Sequence, residues 1–174
     1  MPRLVAELPH SKNLRFHRCS DAPGTFFVTK NIQCDSGRKS VLHAEERKLI
    51  CSALHFSVEQ QRISLAAFVV MPDHWHALLR VMENWTLPRF MHAMMSFVGA
   101  KTARGFQQAN CKWQDGYYET LIGTARQFDY VRRYINLNPV RRGLVALPEE
   151  WDAIGLNHSD MIAEPWPWLF DRDA

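Results

Sequence analysis

The stretch Val69–Arg80, VVMPDHWHALLR, decides how the rest of the chain is read. Apolar residues flank its centre: Phe68, Val69 and Val70 before it, Ala77, Leu78 and Leu79 after it. Pro72-Asp73 is a turn signal between two strand-like runs. Ile63–Met71 and His74–Met82 therefore read as a β-hairpin. Side chains alternate between the faces of a strand. His74, His76, Leu78 and Arg80 then share one face, and Trp75, Ala77, Leu79 and Val81 share the other. Two imidazoles at i and i+2 can hold one cation from a rigid backbone, because neutral imidazole is a common metal ligand. Taken alone, an HxH more often marks two half-buried histidines on a sheet.

Upstream, Pro23-Gly24 is a turn and Thr25–Thr29 a strand, from its β-branched and aromatic content. Residues 31–40 are polar and loop-like. Ala44 to about Val58 is helical, with Leu49, Ile50, Ala53, Leu54 and Val58 at three- and four-residue intervals. Downstream, Thr86 as N-cap and Pro88 in the first turn open a helix to about Gln108. Phe90, Met91, Met94, Met95, Phe97 and Val98 crowd one broad side of it and read as core. Asn110–Asp115 is a loop carrying Trp113, and Gly116–Ile122 is a strand. Gln127–Asn138 is helical, ending or kinking at Pro139, and Gly143 closes the segment. The order strand, helix, strand, strand, helix, strand, helix predicts an α+β domain. A ferredoxin-like or RRM-like antiparallel sheet with helices packed on it fits. Residues 1–22 are expected to be an N-terminal arm and 23–148 the domain. Residues 149–174, with Trp151, Trp166 and Trp168, are expected to form a tail packed on the domain or partly ordered.

The chain has 174 residues, 47% of them hydrophobic, which suits one globular domain plus tails. No apolar run approaches a membrane helix, and the N-terminus lacks the apolar core of a signal peptide. A cytoplasmic protein without membrane attachment is the expectation. Cys19, Cys34, Cys51 and Cys111 are too widely spaced for a CxxC or zinc-finger pattern and read as reduced thiols. The net charge of +3 is modest. Its distribution says more: Arg126, Arg132, Arg133, Arg141 and Arg142 stand against the single acid Asp129 in that span. Such a cluster is a footprint for phosphate or an ordinary solvated face. Lys101 and Arg104 add to the basic content.

A second constellation lies on that arginine-rich helix. Tyr130, Tyr134 and Asn138 are four residues apart and fall on one face. Phe128, Val131 and Ile135 form a neighbouring apolar stripe that would seat the helix on the sheet. A tyrosine hydroxyl can act as a covalent nucleophile, and an Asn oxygen is a hard ligand suited to Mg²⁺ or Mn²⁺. Each tyrosine also fits a core edge with its hydroxyl wet, and Asn138 fits a polar residue before proline. Trp113, Tyr117 and Tyr118 could stack on unpaired bases or, in part, belong to the core.

The two constellations occur together. MPDHWHALL (71–79), WQDGYYETLI (113–122) and YVRRYINLNPVRRGLV (130–145) resemble the single-tyrosine HUH transposases, most closely the REP-associated tyrosine transposase group. APGTFFVT (22–29) resembles that family's first strand. The resemblance covers roughly residues 22–148. It implies a ferredoxin-like α+β domain that cleaves and rejoins single-stranded DNA at hairpin-flanked sites through a covalent 5′-phosphotyrosine, with Mg²⁺ or Mn²⁺. His74 and His76 match the HUH histidines, Tyr134 the nucleophile and Asn138 the third metal ligand. Tyr130 is the rival nucleophile by helical register. Arg126, Arg132, Arg133, Arg141, Arg142, Lys101 and Arg104 could neutralise phosphates, and Trp113 could stack. Arg142 departs from the family pattern, where relatives often carry a small residue; it is not expected to touch the chemistry. The partner implied is hairpin-bearing single-stranded DNA, and the protein is a monomer or a homodimer. The absence of a P-loop fits, since the tyrosyl ester keeps the phosphodiester energy and rejoining needs no ATP. Two other readings compete. One is an inactive or domesticated RRM-like protein that binds single-stranded nucleic acid. The other is a metal hydrolase with a water nucleophile.

Overall fold

The computed structural model describes residues 24–33, 41–105 and 112–156. The expected arm 1–22 lies outside the described residues, as do Trp166, Trp168 and the rest of 157–174. Six strands and three helices follow in the order β1 (Thr25–Gln33), α1 (Ala44–Glu59), β2 (Ile63–Val70), β3 (His74–Val81), α2 (Leu87–Gly105), β4 (Lys112–Trp113), β5 (Tyr118–Leu121), α3 (Ala125–Arg141) and β6 (Ile154–Leu156). The sheet runs β4-β1-β3-β2-β6, with β5 also paired to β1. Every pairing is antiparallel. The spatial order β5-β1-β3-β2 with its two crossover helices is the split βαβ arrangement of ferredoxin-like folds, as the element order predicts.

The hairpin is where the sequence places it. Met71 N–H donates to His74 O across the Pro72-Asp73 turn at 2.8 Å. The turn is also held from outside. Ile32 N–H donates to Asp73 O at 2.9 Å and Leu42 N–H to Pro72 O at 2.6 Å. The end of β1 and the entry to α1 thus both grip it.

Strand alternation sorts the core into two layers. Trp75, Ala77, Leu79 and Val81 join Phe26 and Val28 against Ile50 and Leu54 of α1 and Phe90, Met91 and Met94 of α2. Leu78 joins Phe27 and Val69 on the opposite face, against Val131 and Ile135 of α3. Helices therefore cover both faces of the sheet, and β2 and β3 are buried along almost their whole length.

Local chemistry explains most boundaries. Thr86 Oγ1 accepts from Arg89 N–H at 3.4 Å and opens α2. Thr124 Oγ1 accepts from Gln127 N–H at 3.2 Å and caps α3. Four expectations need correction. Residues 31–33 are not loop but the end of β1, which runs to Gln33, while 34–40 lie outside the described residues. The third helix does not stop at Asn138; it continues through Pro139 to Arg141. Pro139 has no N–H to give the carbonyl one turn back, yet the helix carries on past it and ends in a Schellman arrangement. In it Leu144 N–H donates to Pro139 O at 3.0 Å and Gly143 N–H to Val140 O at 2.9 Å, with Gly143 at φ +66°. Phe97 is not core: it is 45% exposed, with the Lys101 ammonium 5.8 Å from its ring centroid. Trp113 is not in a loop but pairs with Ile32 as part of β4.

Candidate functional site

The site forms where β1, β3 and α3 meet. Cross-strand pairing sets Thr29 opposite His76. Thr29 Oγ1 lies 2.8 Å from His76 Nδ1. His74 Nδ1 lies 2.6 Å from Asp73 Oδ1. The two imidazole centroids are 4.5 Å apart and the rings are inclined at 68°. Both histidines are buried, His74 at 6% and His76 at 5% exposure. With Nδ1 of each ring engaged, His76 Nε2 is left buried without a hydrogen-bond partner. An unmet buried nitrogen is costly in protein alone and is what a cation or a substrate group would satisfy.

Tyr134 on α3 reaches this pair. Its ring centroid is 5.4 Å from that of His76 and 6.0 Å from that of Phe27, edge-on to the latter. Arg141 stands over the tyrosine with its guanidinium carbon 5.5 Å from the ring centroid. Asn138, one turn beyond Tyr134, is buried at 4% exposure. Tyr130 is 58% exposed. No ring contact joins it to the histidines.

Electrostatics keep the imidazoles neutral. Burial, then the neighbouring His74, then the Arg142 guanidinium push His76 down to about 3. Burial also lowers His74, and Arg142 adds to this, while the hydrogen bond and charge of Asp73 oppose it. A neutral imidazole is the ligand form. Among the described residues no group of three His, Cys, Asp or Glu side chains converges to hold a metal. A cation on the histidines would therefore complete its shell from an amide, from water or from a substrate oxygen.

The basic residues divide. Arg126, Arg133 and Arg141 are exposed along α3. Arg132 pairs with Asp129 at 3.6 Å. Arg142 lies 3.6 Å from Asp73 Oδ2, at the turn of the histidine hairpin. Lys101 and Arg104 belong to α2, whose buried side packs on the other face of the sheet. Trp113 is half-buried against the α1–α2 side of the core, as is Tyr117, while Tyr118 is 37% exposed. Thr29, Phe27 and the side chain of Asp73 escaped the sequence reading as site residues. Asp73 stood in view as a turn former. Thr29 and Phe27 meet His76 only through strand register.

A sheet carrying two neutral imidazoles beside a helix-borne tyrosine and a run of arginines suits chemistry on phosphate. The fold is shared with a solved REP-associated tyrosine transposase bound to a REP hairpin, at a TM-score of 0.64 and 22% identity over 80% of each chain. The family described as "Transposase IS200 like" matches residues 29–138, and the chain belongs to it. It is a transposase by that membership. It is also 25% identical over 158 residues to the REP-associated tyrosine transposase of Escherichia coli (strain K12), spanning 85% of this chain and 86% of that protein. No helix among the described residues is long and apolar enough to cross a membrane.

Proposed function

We propose that the protein cleaves and rejoins single-stranded DNA at hairpin-bearing sites through a 5′-phosphotyrosine on Tyr134. The observation that carries this reading is the buried, partnerless Nε2 of His76 beside the Tyr134 ring. The similarity to proteins of the REP-associated group supports hairpin DNA as the partner. Tyr134 Oη forms a bond to phosphorus while the bond from phosphorus to the 3′ oxygen breaks. The phenolic proton is lost and the departing strand ends in a 3′-hydroxyl. Attack by a 3′-hydroxyl on the tyrosyl ester reverses the exchange, so no nucleotide triphosphate is consumed. Packing of Phe27 and Arg141 on the Tyr134 ring restricts where the hydroxyl can point. The exposed guanidinium groups of Arg126, Arg133 and Arg141 pair with backbone phosphates.

His74, His76 and Asn138 would hold a divalent cation, Mg²⁺ or Mn²⁺. When bound, it would supply Lewis-acid charge at a phosphate oxygen. The amide oxygen is the hard donor suited to such an ion, and the neutral imidazoles, with Nε2 of His76 open, add nitrogen donors to it.

The test is a denaturing gel after incubation with a hairpin-bearing single-stranded oligonucleotide and Mg²⁺ or Mn²⁺. A protein band shifted by covalent DNA, lost in Tyr134→Phe, is the expected result. Binding without any adduct favours the domesticated RRM-like reading. Cleavage that survives Tyr134→Phe favours a water nucleophile or Tyr130.

A further inference from the structure

We propose that Asp73 is a positioning residue that fixes the tautomer and orientation of His74 and ties the end of the tyrosine helix to the same carboxylate. This rests on the reading of His74 and His76 as a ligand pair. The two oxygens of Asp73 are divided. Oδ1 lies 2.6 Å from His74 Nδ1 and Oδ2 lies 3.6 Å from the Arg142 guanidinium. The backbone beneath the carboxylate is held as well, since Asp73 O accepts from Ile32 N–H at 2.9 Å.

An ionised carboxylate can only accept hydrogen bonds. His74 Nδ1 must therefore carry the proton, which leaves Nε2 bare as the nitrogen available to a ligand. Thr29 at His76 does not have this effect. Its hydroxyl both donates and accepts, so it holds the ring at 2.8 Å without choosing the tautomer. Of the two histidines, only His74 has its protonation pattern dictated by its neighbour. Ligating histidines that hand their second N–H to a carboxylate gain orientation and basicity, and loss of such a partner typically costs about 10–100-fold in metal affinity. The other oxygen of Asp73 faces Arg142 in a solvent-exposed ion pair, with Asp73 44% exposed. Arg142 caps the helix that carries Tyr134, so one carboxylate orients the imidazole and anchors the end of the nucleophile's helix.

Long-range proton–nitrogen NMR spectra of the full metal-free chain read the tautomer directly, without reference to activity. In the wild type His74 is expected to be protonated on Nδ1 alone. Asp73→Ala mixes the two tautomers and weakens Mn²⁺ binding about 10–100-fold, and Asp73→Asn, whose amide both donates and accepts, no longer dictates the Nδ1–H pattern. A wild-type His74 protonated on Nε2 overturns the proposal, and that spectrum needs no variant to fold. An Asp73→Ala protein with unchanged tautomer and unchanged Mn²⁺ affinity also overturns it. A wild type that binds no Mn²⁺, but whose Nδ1–H pattern at His74 depends on Asp73, supports the positioning role and instead removes the metal reading.

Discussion

His76 gives the most direct test at the scale of single residues. Its folded-state value, about 3, lies well below the ordinary 6.5. The unfolded chain takes up a proton near pH 6.5 that the folded chain refuses until about pH 3. Stability is therefore fully present above about 6.5 and is lost as the pH falls toward 3. His74 is shifted in the same direction. The metal-free protein should lose urea resistance as the pH drops from 6.5 to 5, before most carboxylates titrate. In His76→Gln that loss should be shallower, and equal slopes would contradict the burial argument. The chemistry-bearing residues were legible because their types are scarce and their spacing is short-range. HxH on a strand, and Tyr and Asn four apart on a helix, can be read without knowing the fold. Thr29 and Phe27 could not be read that way, since they reach His76 across the β1–β3 pairing.

At the scale of elements, α3 determines whether the tyrosine meets the histidines. It is capped by Thr124 and seated by Val131 and Ile135, which is 0% exposed. Thr124→Ala removes the acceptor for Gln127 N–H and should cost about 1 kcal/mol. Ile135→Ala leaves a cavity under the helix and should cost about 2–5 kcal/mol. Denaturant midpoints of the two variants check both values, and a near-neutral Ile135→Ala would mean the helix is not docked there. The amphipathic stripe of α3 was plain in the sequence. Its passage through Pro139 was not: a proline has no N–H for the carbonyl one turn back, yet the helix runs two residues past it before closing at Gly143. The two-residue β4 was hidden for a different reason: Trp113 is a strand residue only by virtue of Ile32.

At the scale of the whole molecule, element order carried the split βαβ core but did not say that α3 would cover the opposite face. Nor did it place the C-terminal segment. Trp151 Nε1 donates to Val70 O at 3.0 Å, and the Arg47 guanidinium carbon lies 4.9 Å from the Trp151 ring centroid. Arg47 also pairs with Asp152 at 3.4 Å. β6 then covers the β2 edge, which would otherwise be an open template for aggregation. Gly155 lies directly opposite Phe68, and a Cβ there would stand 2.1 Å from the buried Phe68 ring. Gly155→Ala should therefore destabilise by about 1–3 kcal/mol, read as a lower melting temperature with more light scattering on heating; an unchanged melt would show that β6 does not seal the edge. The sheet and the helix α3 packed on it hold two imidazoles and one phenol in a fixed relation. Peptide mapping of the trapped protein–DNA adduct tests the relation most directly. Trypsin cuts after Arg126, Arg132, Arg133 and Arg141, so Tyr130 and Tyr134 fall in separate peptides, 127–132 and 134–141. The expected result is a nucleotide mass on 134–141; the same mass on 127–132, or cleaved DNA with neither peptide modified, would contradict it.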